Sequence, residues 1–102
     1  MDKLSIVQAL KALSGSETYK RLIEKTDLDI GMYRPNETDD QTPHARDEIY
    51  IVATGTGEFV CAGEREAFVP GDLFYVPAGI EHRFENFSED FSTWVVFIGQ
   101  RT

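Results

Sequence analysis

The chain of 102 residues contains one cysteine, Cys61, so it cannot close an internal disulfide, and a reducing compartment suits it best. Cys61 ends the alternating run Glu58-Phe59-Val60-Cys61, where a thiol packs as a small apolar group rather than acting as a nucleophile. Basic residues are scarce. Ten Lys and Arg against 18 Asp and Glu leave a formal charge of -8. Such a surface repels phosphate backbones and anionic headgroups, which argues against nucleic acid and membrane as partners. The acidity is spread along the chain, and the pairs Asp39-Asp40 and Glu89-Asp90 read as solvated surface. Long apolar runs are missing too. Gln8 and Lys11 interrupt Met1 to Leu13, which has no basic leader and is too short to span a bilayer, so the expected location is the cytoplasm. The length allows one core and not two, and residues 1–102 are expected to form a single domain.

What is present is a substantial core: 41% hydrophobic and 12% aromatic residues exclude global disorder. Leu4, Val7, Leu10 and Leu13 recur every three residues beside Ile6 and Ala9, which predicts a short amphipathic helix over about 3–13, ended by Ser14-Gly15. The helix is expected to lie against the outside of the remaining domain or against a partner subunit. From residue 19 the period changes to two. Strands are predicted at 19–25, 28–34, 48–53, 58–62, 65–69, 73–76, 82–86 and 93–98, separated by Gly-, Pro-, Asp- and Ser-bearing turns. The second strand carries Leu28, Ile30 and Met32 on one face. Residues 35–43 form a polar loop whose tip could partly cover a pocket mouth. Many short strands with no helix between them indicate an all-β sandwich or barrel over about 18–99.

The most specific stretch is 71–86. Gly71, Pro77, Gly79, His82 and Asn86 stand at spacings G-x5-P-x-G-x2-H-x3-N, a chance match on the order of 1 in 10^5. It resembles the second sequence motif of the cupin superfamily, whose histidine is a metal ligand. Upstream, Asn36, Thr42, His44, Glu48 and Gly55 fall on the first cupin motif, G-x5-H-x-H-x3-E-x6-G. His44 takes the second histidine position, Glu48 the glutamate and Gly55 the closing glycine. Thr42 stands where the first histidine belongs and Asn36 where the opening glycine belongs. The resemblance covers nearly half the chain. It implies a cupin double-stranded β-helix, or jelly-roll barrel, with a short N-terminal helix, and a homodimer, since single-domain cupins are often dimers.

The spacing is also sensible by itself. Positions 42, 44 and 48 share a parity, so their side chains converge in an extended segment, while His82, Phe84 and Asn86 share a face of a later strand. Across a closed barrel, His44, Glu48 and His82 make a two-histidine, one-carboxylate set with open positions, which suits Fe and also holds Mn, Ni, Cu or Zn. Taken singly, His44 reads as a surface histidine and Glu48 as a solvated strand start. Together they are harder to dismiss, because Glu48 opens the apolar run Ile49-Tyr50-Ile51-Val52, where an unpaired inward carboxylate is costly. With one motif histidine absent, Gln41 and Thr42 are the candidates for a fourth ligand. Tyr50, Phe84 and Trp94 are expected to line the pocket or fill the core, and Asn86 to support structure by hydrogen bonding. Arg46 is a further candidate for the lining, although an irregular backbone before Glu48 leaves its direction open.

Three functions are compatible with these residues. The first is a small metallo-cupin acting on a small organic molecule at one divalent ion, with oxygen-dependent oxidation as the leading reaction class. The second is a non-catalytic module that binds or senses a sugar or other metabolite. The third is a sugar-phosphate isomerase or epimerase, which would call on Arg34 or Arg46 for the phosphate, because Arg83 has the outward parity.

Overall fold

The computed structural model describes residues 1–100. One helix, α1 (Ile6–Ala12), precedes eight strands: β1 (Tyr19–Lys25), β2 (Leu28–Tyr33), β3 (Asp47–Thr54), β4 (Gly57–Cys61), β5 (Glu64–Phe68), β6 (Leu73–Val76), β7 (His82–Glu85) and β8 (Ser92–Ile98). The strands form an all-β jelly roll. A five-stranded sheet ordered β1-β2-β8-β3-β6 faces a three-stranded sheet ordered β5-β4-β7.

Cross-strand register sorts the side chains of the large sheet into two faces, because residues directly opposite one another point the same way. One inward row runs Asp29, Phe97, Glu48, Val76, and the next runs Gly31, Val95, Tyr50, Phe74. These rows meet β4 and β7, and Tyr50, Val52, Phe59, Phe68, Phe84, Phe91 and Val95 close one buried core between the sheets. The aromatic rings pack edge to face or tilted, with Tyr50 and Phe84 centroids 4.8 Å apart, the offset that ring quadrupoles favour.

On the outer face one row reads Ile23, Ile30, Val96, Ile49, Tyr75, and another reads Met32, Trp94, Ile51, Leu73. Helix α1 covers part of this face, where Ala9 and Leu13 pack with Met32, Ala53, Leu22 and Trp94. Its start is fixed by a capping box between Ser5 and Gln8. The three-residue spacing predicts a stripe that includes Val7, but Val7 is exposed. At 3.6 residues per turn, positions three apart drift round the helix, and Val7 turns away from the face that carries Leu13.

Two glycines are placed by close approach. Gly55 (φ 83°) closes the turn after β3, where a Cβ would stand 2.6 Å from Phe91 Cα. At Gly31 a Cβ would stand 2.7 Å from the Tyr19 ring, so the bare backbone lets that ring fold over β2.

Candidate metal centre

Two tethers bring the sequence motifs together. Gly79 N donates to His44 O at 2.8 Å, and Ala78 N donates to Asp47 Oδ1 at 2.8 Å. The Tyr75 hydroxyl donates to the other Asp47 oxygen. The Pro77-Ala78-Gly79 turn is thereby bound to the segment entering β3, and His82 at the head of β7 is delivered beside Glu48 near the head of β3.

Five polar groups then close a ring. His82 Nε2 lies 2.8 Å from Glu48 Oε1, and Glu48 Oε1 lies 3.6 Å from His44 Nε2. His44 Nε2 is 2.9 Å from Gln41 Oε1, the Tyr50 hydroxyl donates to Gln41 Oε1 at 3.0 Å, and that hydroxyl stands 3.1 Å from His82 Nε2. The ligand atoms of His44, Glu48 and His82 all fall within 4.8 Å of one another.

Glu48 is 1% exposed, and neither carboxylate oxygen accepts an aligned hydrogen bond. The His82 contact is at ion-pair distance but does not satisfy Oε1 as a hydrogen bond. A buried carboxylate in this condition is costly unless a cation compensates it. His82 Nδ1 faces Ile80 O at 2.8 Å, which makes Nδ1 the protonated nitrogen and turns the Nε2 lone pair toward Glu48. Two electron pairs thus face each other across 2.8 Å, and the space between them calls for a positive charge. A proton serves when no metal is bound. Burial lowers the His82 pKa, but the Glu48 and Ile80 contacts and the Glu48 charge outweigh it and hold the imidazole above its usual value. A divalent ion would compete for the same place. The imidazole and carboxylate donors suit Fe, Mn, Ni, Cu or Zn, and adjacent donors on one such ion stand about 3 Å apart at bond lengths near 2.1 Å. The residues present therefore fit a divalent cation.

Of the two candidates for a fourth ligand, the structure brings Gln41 to the ring and leaves Thr42 exposed. Gln41 is aimed by Asp39, whose Oδ2 accepts Gln41 Nε2 at 2.8 Å and so turns Oε1 inward. The same carboxylate accepts Phe84 N at 2.8 Å and the Tyr33 hydroxyl at 2.6 Å. Asp39 is therefore not the solvated surface residue that composition suggests. It is a half-buried hub joining the loop before β3 to β2 and β7, and no local sequence signal reveals it.

Two expectations for the lining, Trp94 and Arg46, are corrected. Trp94 faces outward and packs with the helix cluster, because Thr93 and Val95 take the inward positions of β8. Phe84 takes the second of the two places expected for it: it is 1% exposed and fills the core beneath Tyr50. Arg46 lies over the Phe97 ring, 4.8 Å from its centroid, and pairs with buried Asp29 at 2.9 Å, so it is not among the residues that line the cavity. Asn86 (φ 50°) donates to Glu58 Oε1 at 2.6 Å, a supporting role away from the ring.

Above the ring opens a cavity of about 250 Å³. Tyr19, Tyr33, Val95 and Phe97 form its walls, and Gln41, His44, Glu48 and Tyr50 its floor. Burial and neighbouring carboxylates hold the Tyr33 and Tyr50 hydroxyls above the ordinary tyrosine range, so both are neutral.

Comparison with known proteins agrees with this architecture. The profile of the family described as a cupin domain matches residues 30–98. An uncharacterized protein of Streptomyces coelicolor is 36% identical over 81 residues, 78% of this chain and 77% of that protein. Among solved structures, KdgF from Halomonas sp. superposes with a TM-score of 0.71 at 24% identity, over 81% of this chain and 78% of its own. Protein NMB1881 from Neisseria meningitidis superposes at 0.75 with 18% identity, over 96% and 100%.

Proposed function

The chain belongs to the cupin domain family, and from that premise we propose that it holds one divalent metal ion on His44, Glu48 and His82, with Gln41 as a fourth ligand, and acts there on a small organic molecule. The observation that carries this reading is Glu48, 1% exposed, with no aligned hydrogen bond to either oxygen and His82 Nε2 2.8 Å away. When bound, such an ion supplies Lewis acidity or one-electron chemistry at positions left open by the protein. The chain's own residues do the rest. Ile80 O fixes the His82 tautomer, Asp39 aims Gln41, the Tyr50 hydroxyl offers a hydrogen bond at the floor, and the aromatic walls limit water. Oxygen-dependent oxidation is the reaction class this donor set and cavity favour.

Metal analysis of protein purified without chelator or affinity-tag metal tests the site. About one equivalent per chain is expected, lost in His82→Ala and Glu48→Gln. Substoichiometric metal unchanged by His82→Ala would contradict it.

Non-catalytic ligand binding is the second reading. It rests on the hydrogen bonds that Gln41 makes with Tyr50 and His44, which organise the floor without an ion. Sugar-phosphate chemistry is the weakest of the three. Arg46 is committed to Asp29, and Arg34 lines a separate surface groove with Glu17 and Glu89.

We further infer a homodimer. The outer row Ile23, Ile30, Val96, Ile49, Tyr75 crosses all five strands, and Leu73, Tyr75 and Ile98 are 58%, 53% and 40% exposed. An apolar face of this kind is suited to meet its own copy across a two-fold axis. No described helix is long and apolar enough to cross a membrane. The cytoplasm is proposed from the lone Cys61, whose thiol burial and nearby Glu64 and Glu48 charges hold it protonated.

A further inference from the structure

Building on the metal-site reading, we propose that the molecule taken by this cavity is a neutral, single-ring aromatic compound bearing a hydroxyl, and not a phosphate ester or a free sugar. Four observations lead there. First, the walls are apolar and largely aromatic: Tyr19, Tyr33, Phe97 and Val95 surround the space, and the polar atoms are gathered on the floor at Gln41, His44 and Glu48. An aromatic guest meets ring faces and edges on these sides and places its oxygen at the floor.

Second, the protons of two of the lining hydroxyls are already committed, which leaves those groups to a guest only as acceptors. The Tyr33 hydroxyl donates to Asp39 at 2.6 Å and the Tyr50 hydroxyl to Gln41 at 3.0 Å. A sugar would bring several hydroxyls into a space with one polar side, and each one left unpaired costs the desolvation of a polar group.

Third, among the described residues no lysine or arginine lines the cavity. The two guanidiniums nearest the wall both turn to Asp29, Arg46 at 2.9 Å and Arg21 at 3.6 Å. Glu48 and Asp39 add negative charge at or just behind the floor. A phosphate dianion would enter with no cation to receive it other than the metal, whose charge the carboxylates already offset.

Fourth, the size matches. An apolar cavity of about 150 Å³ is enough for one benzene ring. The 250 Å³ here holds one ring with short substituents.

The test is ligand-observed NMR on the full chain, both EDTA-treated and Zn-loaded, with phenol, glucose and glucose 6-phosphate as probes. Phenol is expected to bind with Kd on the order of 1 mM, and glucose and glucose 6-phosphate at least about tenfold more weakly. Phe97→Ala should weaken phenol by about tenfold. Tyr19→Ala, a rim position 36% exposed that tolerates truncation, should also weaken it. Tighter binding of glucose 6-phosphate, no binding of phenol, or phenol binding unchanged in both variants would overturn the proposal. The two readings fail separately. Phenol binding without any bound zinc would leave the ligand class standing and remove the metal. One zinc per chain with a preference for glucose 6-phosphate would do the reverse.

Discussion

Asp39 Oδ2 accepts the side-chain amide of Gln41 at 2.8 Å and thereby points Gln41 Oε1 at His44 Nε2 and the Tyr50 hydroxyl. A residue that touches no ligand position sets which end of an amide faces the site. Such outer partners are typically worth about 10–100-fold in metal affinity. Asp39→Ala is therefore expected to weaken metal binding within that range while His44, Glu48 and His82 remain. Isothermal titration with zinc reads the change, and an unaltered affinity would show that Gln41 needs no aiming. Because Asp39 also accepts Phe84 N, its loss should lower the melting temperature as well, and Gln41→Ala should not match that loss.

Glu48 sets function against stability. Its oxygens accept no aligned hydrogen bond, and His82 Nε2, 2.8 Å away, donates to it only when protonated, so with His82 neutral the buried carboxylate is uncompensated in the metal-free fold. At pH 8.5, Glu48→Gln is expected to raise the melting temperature of EDTA-treated protein by about 4–8 °C, corresponding to about 1 kcal/mol, while abolishing metal binding. Thermal denaturation of both proteins with and without zinc decides it. A lower melting temperature in the metal-free variant would mean that the carboxylate is satisfied after all.

The pH dependence has a definite sign. The folded His82 pKa lies above the usual value near 6.5, despite burial, because of Glu48 and Ile80 O. In metal-free protein, the stability from this contact is complete below the unfolded pKa and disappears as pH rises through the higher folded pKa. Metal binding runs the other way, because the ion must displace the proton, and apparent affinity should climb through the same interval. Titrations at pH 6 and pH 8 should differ for the wild type. They should converge for His82→Ala in the stability measurement.

Self-association should depend on the outer sheet face. Leu73 is 58% exposed on β6, so Leu73→Lys should leave the fold within about 0.5 kcal/mol while placing a charge in an apolar contact. Sedimentation is expected to give a dimer for the wild type and a monomer for Leu73→Lys. A monomeric wild type would remove the inferred interface.

The sequence revealed the scaffold more readily than the surroundings of the site. The strands at Leu73–Val76 and Tyr19–Lys25 match their predicted bounds, because turn residues flank them closely. The pocket assignment of Trp94 failed because β8 is apolar on both faces: Val95 packs in the core while Trp94 meets the helix, and two-sided burial erases the alternation that parity arguments need. Asp39 was invisible for another reason. Its contact with Phe84 N joins residues 45 apart, and nothing local marks a long-range acceptor. Arg46 likewise answers to Asp29, 17 positions away, on a strand whose pattern gave no hint of a buried carboxylate.

Anomalous scattering from a crystal of chelator-free protein, recorded at the absorption edge of the bound metal, is the sharpest test of the metal centre. One peak per chain is expected, about 2.0–2.2 Å from a nitrogen of His44, a nitrogen of His82 and an oxygen of Glu48. A Glu48 carboxylate with no anomalous peak beside it, in protein shown to carry metal, would contradict that assignment.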